Sequence, residues 1–184
     1  GNVEYRRFRE TVALFEKYGA RYGFDPLMLA AQGYQESQLN QAARSRVAAI
    51  GVMQLMPETG QQMNVGDVRQ IEANIHAGAK YMDQLMRQHF SAAHFSEGNR
   101  PLFAFASYNC GPVNVARARR EAEKRGLDPN KWFNNVEIVV AQQIGTETTT
   151  YVRNIYKYYV AYRLMLDAHE RAEKARRQVS PPGQ

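Results

Sequence analysis

Glu36 is the residue whose setting first points to acid–base chemistry. It stands near the end of a stretch, Asp25 to Pro57, that opens with a strong helix start. Asp25 can cap the free backbone N–H groups, and Pro26 sits at the first helical position, where its missing N–H costs nothing. Leu27, Ala31 and Tyr34 then fall at i, i+4 and i+7 and form an apolar stripe. At 100° per residue, Glu36 lies on the far side of that stripe, nearly in line with Leu29 and one turn beyond Gly33. A glycine inside a helix costs about 1 kcal/mol relative to alanine, and one return for that cost is room for another group beside Glu36. A carboxylate near a helix C-terminus is disfavoured by the helix dipole, which raises its pKa and helps it stay protonated, ready to give a proton. A lone glutamate reads more readily as solvated surface, so the residues that follow it decide.

Those residues are ordered. After Ser37 comes a polar loop, Asn40 to Arg46, containing Arg44 and Ser45, and then Gly51-Val52-Met53-Gln54-Leu55-Met56-Pro57. Further on stand Ser107-Tyr108-Asn109-Cys110-Gly111-Pro112 and the run Glu147, Thr148, Tyr151, Val152. His76, His89 and His94 match no zinc-ligand spacing and no cysteine assists them, so no metal is expected. Cys110 is the only cysteine, which excludes an internal disulfide, and it reads as a small buried thiol rather than a nucleophile.

Helices must position these groups. The patterning predicts a first helix over 3–22, the Asp25 helix, a short helix or turn over 53–63 and a long amphipathic helix over 69–90. That long helix has a core stripe of Ile71, Ile75, Gly78, Ala79, Met82 and Leu85. Pro101 starts a buried helix, a basic one covers 113–125, Trp132 and Phe133 read as core, and a helix over 137–144 meets Gly145. Thr146 opens a long helix to Ala168, in which Tyr151, Ile155, Tyr158 and Tyr162 form one stripe that reads mainly as core. The tail over 169–184 is charged, ends Ser180-Pro181-Pro182-Gly183-Gln184 and is expected to fray or be disordered. No strand and no internal repeat stands out.

A chain of 184 residues fits one domain with a full core. A formal charge of +6 favours an anionic partner without choosing among nucleic acid, acidic lipid and bacterial cell wall. No apolar run reaches the length of a membrane span. The start, Gly-Asn-Val-Glu, is no signal peptide, so the chain reads as a mature form or a piece of a longer protein.

The order Glu36-Ser37, Ser45, Gly51-Val52-Met53-Gln54-Leu55-Met56-Pro57 resembles the lysozyme-like domain of soluble lytic transglycosylases. Asn74-Ile75 with Gly78 and Tyr81-Met82, then Ser107-Tyr108-Asn109-Cys110-Gly111, and finally Glu147-Thr148 with Tyr151-Val152, extend the likeness. Ser107 replaces an alanine of the pattern, and Ile144-Gly145 replaces a proline and an aromatic residue, which leaves the path of that loop open. The Tyr151–Leu166 helix is most similar to the active-site domains of membrane-bound lytic transglycosylases of the F type. The resemblance implies an all-α, lysozyme-like fold of the goose-type lysozyme class over 1–168, with a substrate cleft.

It further implies a peptidoglycan lytic transglycosylase in which Glu36 is the single general acid and base, with no metal or cofactor. The expected product carries a 1,6-anhydro-N-acetylmuramic acid end, because the sugar's own 6-hydroxyl attacks. Ser37 is assigned to the site, though a hydroxyl at a helix end can equally bond to backbone. Ser45 would bond near Glu36 or the acetamido group. Gln54 and the Met56 backbone would hold the glycan, and Tyr108 and Asn109 would line the subsite wall. Glu147 would face the peptide stem or neighbouring polar groups, and Tyr151 would reach towards Glu36. The implied setting is the bacterial periplasm or envelope. The implied partners are glycan strands and an upstream solute-binding-like domain, with no nucleic acid and no membrane contact from this segment. Any outer-membrane association would come through a part outside this chain. Two alternatives stand beside this: a hydrolytic muramidase on the same fold, which would need a second carboxylate such as Glu147, and a non-catalytic glycan- or nucleic-acid-binding module.

Overall fold

The computed structural model describes residues 2–179. Among these residues, eight α-helices follow one another: α1 (Asn2–Tyr22), α2 (Pro26–Ser37), α3 (Pro57–Met63), α4 (Ile71–His89), α5 (Arg100–Cys110), α6 (Pro112–Lys124), α7 (Glu137–Gln143) and α8 (Thr146–Val179). A single π-helical turn, Trp132–Val136, stands before α7. Among the described residues there is no sheet, only isolated antiparallel bridges joining Arg44 to Ile50 and Ile50 to Leu55. The all-α expectation holds.

α2 starts as its sequence dictates. The Asp25 carboxylate accepts a hydrogen bond from the Leu27 N–H at 2.8 Å, and Pro26 takes the first turn. Its apolar character is broader than one stripe, because every residue from Leu27 to Gly33 is buried. The reason is tertiary: α2 packs against both α1 and α8, so it has little solvent-facing side. Around it the core is closed by Phe15, Met53, Leu55, Ile75, Met82, Phe103, Phe105, Trp132 and Ile155, all essentially inaccessible.

Two expectations about element limits are corrected. The short helix begins at Pro57, not Met53, because the backbone of 50–55 is held by side chains of other elements and cannot coil. The tail does not fray at Glu170, since α8 continues past Ala168 to Val179 without a break. Residues 167–179 contain no glycine or proline and are rich in Ala, Glu, Lys and Arg, the strongest helix formers. Contacts one turn apart support the extension, as where His169 Nε2 lies 3.3 Å from Glu173 Oε1. The proline-rich end, 180–184, lies outside the described residues.

Candidate active site

Glu36 occupies the last turn of α2 and is half-buried. The Tyr151 hydroxyl, from α8, donates to Glu36 Oε1 at 2.5 Å. Behind it, the Gln32 side-chain Nε2, one turn earlier on α2, donates to the Tyr151 hydroxyl at 3.3 Å. Burial pushes the Glu36 carboxyl up to about 7, and the Tyr151 hydrogen bond pulls in the opposite direction. Desolvation is the leading cause of the rise. Burial, together with the nearby charge of Glu36, holds the Tyr108 and Tyr151 phenols well above their ordinary range. Both tyrosines thus remain neutral and able to donate at any ordinary pH.

The wall beside Glu36 is the loop 50–56, and glycines on two helices admit it. A Cβ on Gly33 would stand 2.9 Å from Val52 Cγ1, and one on Gly78 would stand 2.7 Å from Met53 Cγ. The loop's side chains enter these notches, and its backbone groups are taken up one by one. Asn74 is wholly buried; its Nδ2 donates to the Ile50 and Val68 carbonyls at 2.8 and 2.9 Å, and its Oδ1 accepts from the Met53 N–H at 2.8 Å. Gln41 accepts from the Val52 N–H at 3.1 Å and donates to the Val68 carbonyl at 3.0 Å. The Tyr108 hydroxyl donates to the Met53 carbonyl at 2.6 Å, while its ring meets Tyr81 edge-on at 5.5 Å.

The expected site residues fall into two groups. Glu36, Tyr151 and Tyr108 come together as described. Ser37 acts as the helix-end brace: its hydroxyl lies 3.1 Å from the Gly33 carbonyl and 2.9 Å from that of Val52, and it accepts from the Asn40 N–H. The Ser45 oxygen is occupied by its own loop, accepting from the Val47 and Ala49 N–H groups at 3.3 and 3.0 Å, so it shapes that loop rather than touching Glu36. The Gln54 Nε2 donates to the Gly51 carbonyl at 2.9 Å, and the Met56 side chain is exposed at the start of α3. Asn109 is exposed, and its Oδ1 accepts from Thr148 Oγ1 at 2.7 Å, which ties the end of α5 to the start of α8. Glu147 is exposed one turn before Tyr151 on the same helical face. Arg44 donates to the Gln41 and Ala43 carbonyls and serves its own loop.

Gln32, Gln41 and Thr148 escaped the sequence reading as site residues, and Asn74 was read only as packing. A polar residue at i−4 from Glu36 was the one available signal for Gln32; the partners of the others are far away in sequence. Among the described residues, no group of His, Cys, Asp and Glu could hold a metal ion.

Residues 13–131 match the family profile of the transglycosylase SLT domain. Tyr151 and the rest of α8 lie beyond that segment. Membrane-bound lytic murein transglycosylase F of Desulfosudis oleivorans is 35% identical over 168 residues, which is 84% of this chain and 37% of that protein. Its counterpart in Shewanella frigidimarina is 35% identical over 169 residues, 85% of this chain and 33% of that protein. The chain thus spans about a third of the length of these curated relatives. The X-ray structure of an inactive glutamate-to-glutamine mutant of lytic transglycosylase Slt from Pseudomonas aeruginosa superposes with a TM-score of 0.63. It is 28% identical and covers 85% of this chain and 24% of its own. The 70 kDa soluble lytic transglycosylase of Escherichia coli gives a TM-score of 0.61 at 25% identity, over 84% of this chain and 24% of its own. Profile, relatives and fold agree with the motif order around Glu36, and the chain belongs to the transglycosylase SLT domain family.

Proposed function

We propose that this protein is a peptidoglycan lytic transglycosylase that cleaves the β-1,4 bond between N-acetylmuramic acid and N-acetylglucosamine, with Glu36 as the only acid and base. The observation that carries the reading is the state of Glu36. Burial holds its carboxyl up to about 7, and no charged side chain contributes to that shift. A carboxylate at the separation a hydrolase needs would raise it further through like-charge repulsion.

The chemistry closes without water. Protonated Glu36 gives its proton to the oxygen of the departing N-acetylglucosamine as the C1–O bond of N-acetylmuramic acid breaks. The resulting carboxylate takes the proton of that sugar's 6-hydroxyl, whose oxygen bonds to C1 and leaves a 1,6-anhydro ring. The nucleophile belongs to the substrate, so proximity replaces a held water. The Tyr151 hydrogen bond steadies the carboxylate between the two transfers, and in this reading Asn109, Met56 and Glu147, all exposed, meet the glycan and its peptide stem. Ser45 and Gln54 hold the loops that meet it.

Relatives named membrane-bound lytic murein transglycosylase F support a bacterial envelope setting. An upstream regulatory domain in the whole protein belongs to the same reading. No helix among the described residues is long and apolar enough to cross a membrane.

Digestion of purified peptidoglycan, read by mass spectrometry, tests the proposal. Products lighter by one water than hydrolytic ones are expected, with no lysis by Glu36→Gln. Hydrated, reducing ends would overturn it and make Glu147 the first candidate for a second carboxylate.

A further inference from the structure

Gln32 is wholly buried, yet it carries a side-chain oxygen with no hydrogen-bond partner among the described residues. A buried, unpartnered carbonyl oxygen is destabilising, and leucine or methionine would fill the same space without that penalty. Its other end touches one group, the Tyr151 hydroxyl. That hydroxyl has a single proton, and it is committed to Glu36 Oε1 at 2.5 Å. With its proton there, the phenol oxygen accepts from Gln32, and the Nε2 end of the carboxamide faces it.

We propose that Gln32 is a positioning residue that locks Tyr151 as an obligate donor to Glu36 Oε1 and thereby assigns the acid proton to Oε2. The argument is one of direction. If the phenol oxygen were free, the protonated carboxyl of Glu36 could turn and donate to it, and the acid proton would point into the protein. With Nε2 occupying the acceptor side of the phenol, that arrangement is closed. Oε1 remains an acceptor in both protonation states, and the titrating oxygen is the one left to face the glycan. A donor feeding the Tyr151 oxygen also polarises its O–H and strengthens the bond to the carboxylate form. The titratable groups facing Glu36 are Tyr151 from α8 and Tyr108 from α5, with Tyr81 of α4 behind Tyr108. The tyrosines stay protonated over the relevant range, so Glu36 alone changes charge there. The proton's role in turnover rests on the function proposed above, but its placement does not.

The test is Gln32→Leu and Gln32→Met, each made alone and with Tyr151→Phe. Glu36 is titrated directly through the side-chain carboxyl carbon shift in 13C-glutamate-labelled protein, which requires no turnover. Either single substitution is expected to raise the Glu36 titration midpoint and leave the melting temperature unchanged or higher. Neither should move the midpoint further once Tyr151 is phenylalanine. In muropeptide release, kcat should fall about tenfold with KM within about twofold, a part of the 10²–10⁴ that positioned acid–base catalysis supplies. A midpoint identical to wild type in both variants, or a shift that persists in the Tyr151→Phe background, would overturn the proposal. A shifted midpoint with no activity in any protein, wild type included, would instead overturn the enzymatic reading and leave the proton's placement standing.

Discussion

At the residue scale, the proposed mechanism sets Glu36 two requirements that compete. It must be protonated to begin the reaction, which burial provides, and it must be tolerable as a carboxylate midway, which the Tyr151 hydroxyl provides. The activity is therefore expected to fall as pH rises through about 7, with the alkaline limb of kcat/KM reporting the free protein. Tyr151→Phe removes the bond that favours the charged form, so this limb should move to higher pH while kcat drops. Stability follows the same sign. The folded pKa of about 7 exceeds the ordinary 4.5, so Glu36 contributes most below 4.5 and that contribution is lost as pH rises to about 7. Glu36→Gln cannot ionise, and its melting temperature should exceed that of wild type by roughly 2–6 °C at pH 8 but match it near pH 4. Equal melting curves at pH 8 would mean that the carboxylate is not desolvated.

At the element scale, the site is a loop clamped between two helices, and glycine is what lets the clamp close. Gly33→Ala would bring a methyl group to 2.9 Å from Val52 Cγ1 and 3.1 Å from Phe15 Cζ. Overpacking of that kind costs about 1–3 kcal/mol, against a gain in helix propensity near 1 kcal/mol. A modest net loss of stability is expected by denaturant titration, with a larger loss of activity because Val52 moves beside Glu36. Asn74→Leu is the sharper probe. It leaves the buried Met53 N–H without a partner and removes one of the hydrogen bonds to the Ile50 and Val68 carbonyls, which the Leu55 N–H and Gln41 still reach, a loss of roughly 2–3 kcal/mol. Hydrogen exchange should then speed up at Met53 before it does in α2.

At the scale of the whole molecule, α8 does two separate tasks. Its first half is built into the core through Val152 and Ile155 and brings Tyr151 to Glu36, while Tyr158 and Tyr162 pack edge-on to Tyr34 at 4.8 and 6.2 Å. Beyond Leu166 the helix is mostly exposed and held by local contacts. Ending the chain after Asp167 is expected to shift the melting temperature by only about 1–2 °C and to preserve activity, since few buried contacts are removed. Ending it after Ile155 should prevent stable folding, as read by the loss of a cooperative thermal transition. A large loss of stability on ending the chain after Asp167 would show that the extension is part of the folded unit.

The sequence by itself determined the helices and the start of α2, and it singled out Glu36 as the candidate acid. Caps, prolines and hydrophobic period act locally, and the motif order is linear. It also placed Gly33 beside an approaching group, since a glycine within a helix is costly unless something fills the space. Tertiary structure alone decided that Tyr151, 115 positions away, would hold Oε1, that Gln32 would stand behind it, and that Ser37 and Ser45 would bind backbone. It likewise decided how deeply the Glu36 carboxyl is enclosed, and so how far burial raises its pKa. Burial depends on what α5, α8 and the 50–56 loop bring near the carboxyl, and no local pattern encodes that enclosure. The end of α8 was misjudged for the opposite reason: charge was read as disorder, whereas an uninterrupted run of strong helix formers joined to a packed helix simply continues it.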